Sequence, residues 1–173
     1  MSDTLINRVA ESGLITLKPE EWIPKTQPAA FDLKDYLFMG LILKEKDFRE
    51  NMKAHDWSQY QGNTICLFCS ADAIIPSWAY MLIATQAAPY ASSIFFGTPN
   101  QWRSVQLIEV IQQMDLSPYK DQMVIIKGCS DEFAIGPEIY VELTAKLVPV
   151  VKSLMFGEPC STVPVYKRPK ANG

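Results

Sequence analysis

The chain has 173 residues, 48% of them apolar and 20% charged, with a net charge of -3. It is long enough to bury the core of one domain, and its balance excludes the strongly basic surface that nucleic acid favours. The longest apolar run, Tyr36 to Leu43, is far short of the ~20 residues of a membrane helix, so no membrane partner is expected.

The opening "MSDTLINRVAESG" has no basic stretch followed by an apolar one, so it does not read as a secretory signal. A cytoplasmic location is expected, where thiols stay reduced. One domain is expected in three parts: an N-terminal extension over 1–62 packing on the core, an α/β core over 63–157, and an extended tail over 158–173. In the extension, "TLINRVAE" suits a short amphipathic helix, "GLITL" a short strand and "WIPKTQPAA" a proline-broken loop. "FDLKDYLFMGLIL" mixes helix and strand periods and fits neither. "KEKDFRENMKAHDW" is a polar helix ending near His55, with Phe48, Met52 and Trp57 on its buried side.

The core has a more regular pattern. "NTICLFC" is a strand. "IPSWAYMLIATQAAPYA" is a buried helix with Pro76 in its first turn, where proline loses no hydrogen bond. "SSIFFG" is a second strand. "QWRSVQLIEVIQQM" is an amphipathic helix with Val105, Ile108 and Ile111 or Gln112 at helical spacing. "QMVIIKG" is a third strand, "GPEIYVELTAKLVP" a helix opened by Pro137, and "VKSLMFG" a fourth strand. Strands that alternate with helices and read as continuous apolar runs predict a parallel sheet covered on both faces. The expected fold is a small three-layer α/β sheet.

The phrase Cys-Ser, with a proline shortly after it, occurs three times: "CSADAIIP", "CSDEFAIGP" and "CSTVP". Cys69 closes the first core strand, Cys129 follows the third and Cys160 the fourth. Ligands of open parallel sheets bind at the carboxyl ends of the strands, where all three cysteines fall. A flavodoxin-like strand order, 2-1-3-4, makes the three cysteine-bearing strands neighbours. At ~4.8 Å between strands, the outer pair then spans ~10 Å, which short loops can close.

Three converging thiolates suit zinc or an iron–sulfur cluster, with Asp72, Asp131 or the sole histidine, His55, as candidate fourth ligand. His55 has a plainer reading, since an imidazolium suits a helix C-terminus. Thiol or persulfide chemistry at Cys69 or Cys129 is another reading, and cysteines that merely fill strand ends a third. Cys66 forms "CLFC" with Cys69, but positions three apart on a strand face opposite sides, so Cys66 belongs to the core. No Walker A, G-x-G-x-x-G or G-x-S-x-G motif occurs. Trp57, Tyr60, Trp78, Tyr80 and Trp102 read as packing residues rather than a pocket lining.

The strings "GLILKEKDFRE", "HDWSQY", "CSADAIIPSWAYML", "IKGCSDE" and "KSLMFGEPCSTVP" cover most of the chain from about residue 41 onward. They resemble the bacterial family catalogued as domain of unknown function 2480, found mainly in Bacteroidetes. The resemblance brings no activity and no site residues with it. It does imply a setting beside iron–sulfur cluster assembly genes, and so cluster-assembly proteins as partners. The expected function is a cysteine-site protein binding zinc or an iron–sulfur cluster. The alternatives are a non-catalytic interaction module or homo-oligomer with structural cysteines, and thirdly a thiol or persulfide enzyme.

Overall fold

Each apolar run read as a core strand is a strand in the computed structural model, which describes residues 14–128, 135–158 and 161–170. The protein is an α/β fold with mainly parallel sheets. Its strands are β1 (Leu14–Leu17), β2 (Ala29–Asp32), β3 (Thr64–Phe68), β4 (Ser93–Phe96), β5 (Met123–Ile126), β6 (Ser153–Glu158) and β7 (Ser161–Lys167). Its helices are α1 (Glu45–Ala54), α2 (Ser77–Ala87), α3 (Pro99–Gln113) and α4 (Pro137–Leu147). The helix expected over "TLINRVAE" lies outside the described residues. Among the described residues, no helix is long and apolar enough to cross a membrane.

The expected single sheet is two sheets. One has the order β2-β3-β4 and the other β1-β5-β6-β7. The order 2-1-3-4 survives only as its two halves: the strands at 64–68 and 93–96 pair in parallel, as do those at 123–126 and 153–158. The strands that end before Cys69 and Cys129 are not neighbours. The reason is that an apolar run reports burial, not pairing partner. Two short N-terminal strands take the places assigned to a longer sheet: β2 flanks β3, with Ala29 opposite Ile65, and β1 flanks β5, with Leu14 opposite Met123. The segment expected as an extended tail is extended but paired, β7 lying antiparallel to β6. Pro164 is tolerated there because β7 is an edge strand and the register shifts beside it, between Leu154 and Met155.

The contacts divide the chain into two units, Pro24–Arg103 and a second that joins Met1–Ile23 to Ser104–Gly173. Each has its own core. In the first, Phe31, Phe48, Met52, Ile65, Leu67 and Ile83 are sealed together. In the second, Leu17, Leu107, Ile111, Val124, Leu143 and Leu154 are. The buried stripe of α3 is therefore Leu107 and Ile111, while Val105 is 39% exposed, against its expected inward place.

The two units repeat one pattern. Each runs edge strand, helix, central strand, helix, strand, with these three strands parallel and in spatial order, and the second unit adds the antiparallel β7. The helix before the central strand buries Phe48 and Met52 in one unit, Leu107 and Ile111 in the other. Asp56 accepts from the backbone N–H and hydroxyl of Ser58; Asp115 does the same for Ser117. Gly62 (φ 74°) donates to the Tyr90 carbonyl and Asp121 (φ 60°) to that of Val150, both at 2.9 Å. The second helix buries Ala79, Ile83 and Ala87, or Ile139, Leu143 and Leu147. Tyr80 meets Phe96 edge-on at 5.1 Å, and Tyr140 meets Phe156 edge-on at 5.4 Å. The final strands turn at Gly97 (φ 139°) and Gly157 (φ 121°). The chain thus holds an internal structural repeat, with one unit running in sequence between the first strand and the first helix of the other.

Candidate functional site

Cys69 and Ser70 follow β3 at the carboxyl edge of its sheet. Cys69 is half-buried against the core, and its thiol is 3.7 Å from the Ala71 carbonyl, to which it donates. Ser70 reaches across to the end of β2. Its backbone N–H donates to Asp32 Oδ1 at 3.0 Å and its hydroxyl to Oδ2 at 2.5 Å. Asp32 Oδ1 also accepts from the Lys34 N–H at 3.0 Å, which turns the chain after β2. Burial works against the Asp32 charge, but the bonds from Ser70 and Lys34 outweigh it and hold the carboxyl below its usual range. So the Cys-Ser step has a local purpose: the cysteine fills the strand end, and the serine ties that end to the neighbouring strand.

Tyr80, from the first turn of α2, is the third member of this edge. Burial raises its phenol pKa, with the Cys69 thiol and the Asp32 carboxylate adding to the effect. Phe96, at the end of β4, packs edge-on to it and is 70% exposed. Asp72, one of the candidate fourth ligands, lies exposed in the loop beyond. Cys129, Asp131 and Cys160 lie outside the described residues. Among the described residues, no three His, Cys, Asp or Glu side chains gather as a metal site would require. Cys66 is fully buried on β3, and burial pushes its thiol up, with Arg103 opposing.

His55 follows α1 as expected, but its ring sits in an aromatic box rather than facing the helix end. Trp57 is 4.6 Å from it, Phe31 5.3 Å and Tyr60 5.7 Å between ring centres. Nδ1 lies 3.2 Å from the Tyr36 hydroxyl and Nε2 3.1 Å from that of Tyr60. The Gln59 amide nitrogen donates to the Asp56 carbonyl and lies 3.2 Å from Nε2. An amide nitrogen can only donate, so Nε2 accepts, and the neutral ring carries its proton on Nδ1, toward Tyr36. Burial lowers the pKa against the pull of Asp56. Desolvation among the aromatic rings thus favours the neutral ring over the imidazolium expected at a helix C-terminus. Both nitrogens are engaged, and ligation would cost those bonds.

Sequence reasoning missed Asp32 and Tyr80 as members of the edge. The signal for Asp32 was present: an aspartate closing an apolar run, followed by a turn, is an Asx cap. Nothing local marks it as the partner of Ser70, because the two come together only through the parallel pairing of β2 with β3.

In the sequence, Cys69 follows β3 and Cys129 comes after β5, the second strand of each unit's repeated pattern. Cys160 follows β6 and has no such counterpart after β4, where "GTPN" stands. No curated protein and no solved structure matches the chain. The match to a family is extensive, running over residues 3–168, and the chain belongs to the family described as Protein of unknown function (DUF2480).

Proposed function

We propose that the protein binds zinc or an iron–sulfur cluster through thiolates at its strand ends, Cys69 with Cys129 and Cys160, as an accessory factor in cluster assembly. The observation that supports this reading is the contrast between the two described cysteines. Cys66 is sealed in the core, whereas Cys69 is only half-buried, at the sheet edge where parallel folds take ligands. The Ser70 N–H and hydroxyl are already turned to Asp32, so a cation at Cys69 would have a carboxylate held ionised in the same corner. Metal analysis of anaerobically purified wild-type protein, compared with Cys69→Ser and Cys66→Ser, tests the reading. It expects metal in wild type and Cys66→Ser and its loss in Cys69→Ser.

A second reading is a non-catalytic interaction module or homo-oligomer. Its support is the structural use already made of the Cys69-Ser70 step, together with the exposed apolar side chains of the same unit. Ile74 is 96% exposed beside that step, and Met39 is 81% exposed on a tight turn. Under this reading the metal analysis finds nothing above background in any of the three proteins.

A further inference from the structure

The repeat shows one corner filled in one unit and vacant in the other. In the second unit, Asp121 stands at the turn before β5, and Arg168 donates to its carboxylate and to the Val150 carbonyl. The corresponding turn of the first unit has Gly62, which makes the same backbone bond to Tyr90 but carries no side chain. A Cβ built there would meet nothing within 4 Å. The space is part of a cleft of about 110 Å³ at the amino ends of β2, β3 and β4, lined by Gln27, Gly62, Asn63, Thr64, Ser92 and Trp102 among others.

The cleft is built for an acceptor. No acidic side chain lines it. Trp102 is only 9% exposed. Trp57, the other deeply buried tryptophan, donates its indole N–H to the Met52 carbonyl, but Trp102 has no such acceptor among the described residues. Behind the wall stands Arg103, whose guanidinium donates to Asn100 Oδ1 and Gln27 Oε1, neither of them charged. That bond uses Gln27 Oε1 as an acceptor and leaves its amide NH2 as a donor. The Arg103 Nε is buried with no partner at all. The residue as a whole is half-buried, and a cation with one buried, unmet donor and no carboxylate beside it favours a nearby anion.

We propose that this cleft binds a small oxyanion, a carboxylate above all, whose charge takes the place that the Asp121 side chain holds in the other unit. The site is separate from the cysteines, and it stands or falls independently of the thiolate reading.

The test is an NMR titration of the full chain with acetate at constant ionic strength, with acetamide as the neutral isostere. The Trp102 indole N–H, assigned through Trp102→Phe, and the Gly62 and Asn63 amides are expected to shift saturably with acetate and not with acetamide. Arg103→Gln is expected to weaken acetate about tenfold or more, the usual worth of a charge-assisted contact. Gly62→Asp supplies the carboxylate internally. Asp121 has a positive φ of 60° at the matching turn, near the 74° of Gly62, and acetate binding is expected to vanish while the rest of the spectrum persists. Non-saturating shifts, an equal response to acetamide, or undiminished binding in Gly62→Asp would each overturn the proposal. The wild-type titration decides by itself should either variant fail to fold.

Discussion

Asp32 and Ser70 show how much a two-residue step can do at a strand end. Removing the serine hydroxyl leaves a carboxylate that has lost its shortest bond, at 2.5 Å. Ser70→Ala is therefore expected to lower stability by about 1–2 kcal/mol, at the modest end because the pair is partly solvated. The pH dependence follows from the direction of the shift. Because the folded Asp32 holds its proton less tightly than the unfolded one, its contribution is complete above the ordinary carboxylate range and is lost as pH falls through the lowered folded value. Thermal melts of wild type and Ser70→Ala should thus converge on acidification; a gap that stays constant below pH ~3 would contradict the assignment. His55 offers a cleaner reading, being the only histidine. Its depressed folded pKa means that stability is complete above about 6.5 and declines below it, as the unfolded chain takes up a proton the folded ring resists. A titration of its ring protons should give a midpoint below 6.5, with the neutral form protonated at Nδ1. A midpoint above 6.5 would show that the imidazolium is favoured after all.

The elements were largely legible in the sequence, and their partners were not. Continuous apolar runs identified β3 to β6, with a glycine before the first run and after the other three, and proline at a first turn located α2 and α4, because burial and backbone constraints act locally. The polar helix α1, with Phe48 and Met52 inward, followed from its 3.6-residue period. What stayed hidden was which strands pair. β2 has only four residues, "AAFD", and its inclusion depends on Ile65 and Phe31 reaching the same core, which no local pattern encodes. The recurring Cys-Ser phrase falls after β3, β5 and β6, strands that the two sheets divide between them, so a shared site would draw on loops rather than on neighbouring strands for Cys69 and Cys129. The repeat was hard to see because it is carried by positions rather than identities, as where Phe48 and Met52 answer to Leu107 and Ile111. The glycines closing β4 and β6 test that equivalence. A Cβ on Gly97 would come within 2.7 Å of the Phe95 ring, and one on Gly157 within 2.5 Å of the Ser161 carbonyl oxygen. With φ at 139° and 121°, both alanine variants should lose on the order of 1–3 kcal/mol. Gly157→Ala should lose the more, because backbone yields less readily than a ring. Chemical denaturation measures both, and a neutral result at either position would remove it from the pair.

At the scale of the whole chain, the unit Pro24–Arg103 has its own sheet, helices and sealed core. Expressed as a fragment, it is expected to melt cooperatively, though with the narrow margin usual for so small a core. A chain without a cooperative transition by circular dichroism would mean that the repeat cannot stand alone. The function proposed for the molecule rests on its cysteines acting as ligands rather than as strand ends. Ligands drawn from separate loops couple metal binding to folding, so removing the metal should cost stability. Cys66→Ala, a small core cavity, should cost ~1 kcal/mol with or without metal. Cys129→Ala should cost several kcal/mol in loaded protein and far less in the apo form. The most direct measurement is elemental analysis of anaerobically purified protein, paired with its thermal unfolding before and after a chelator. The account predicts stoichiometric zinc, or iron with sulfide, and a transition that falls when the metal is removed. Protein without stoichiometric metal, whose transition the chelator leaves unmoved, would contradict it.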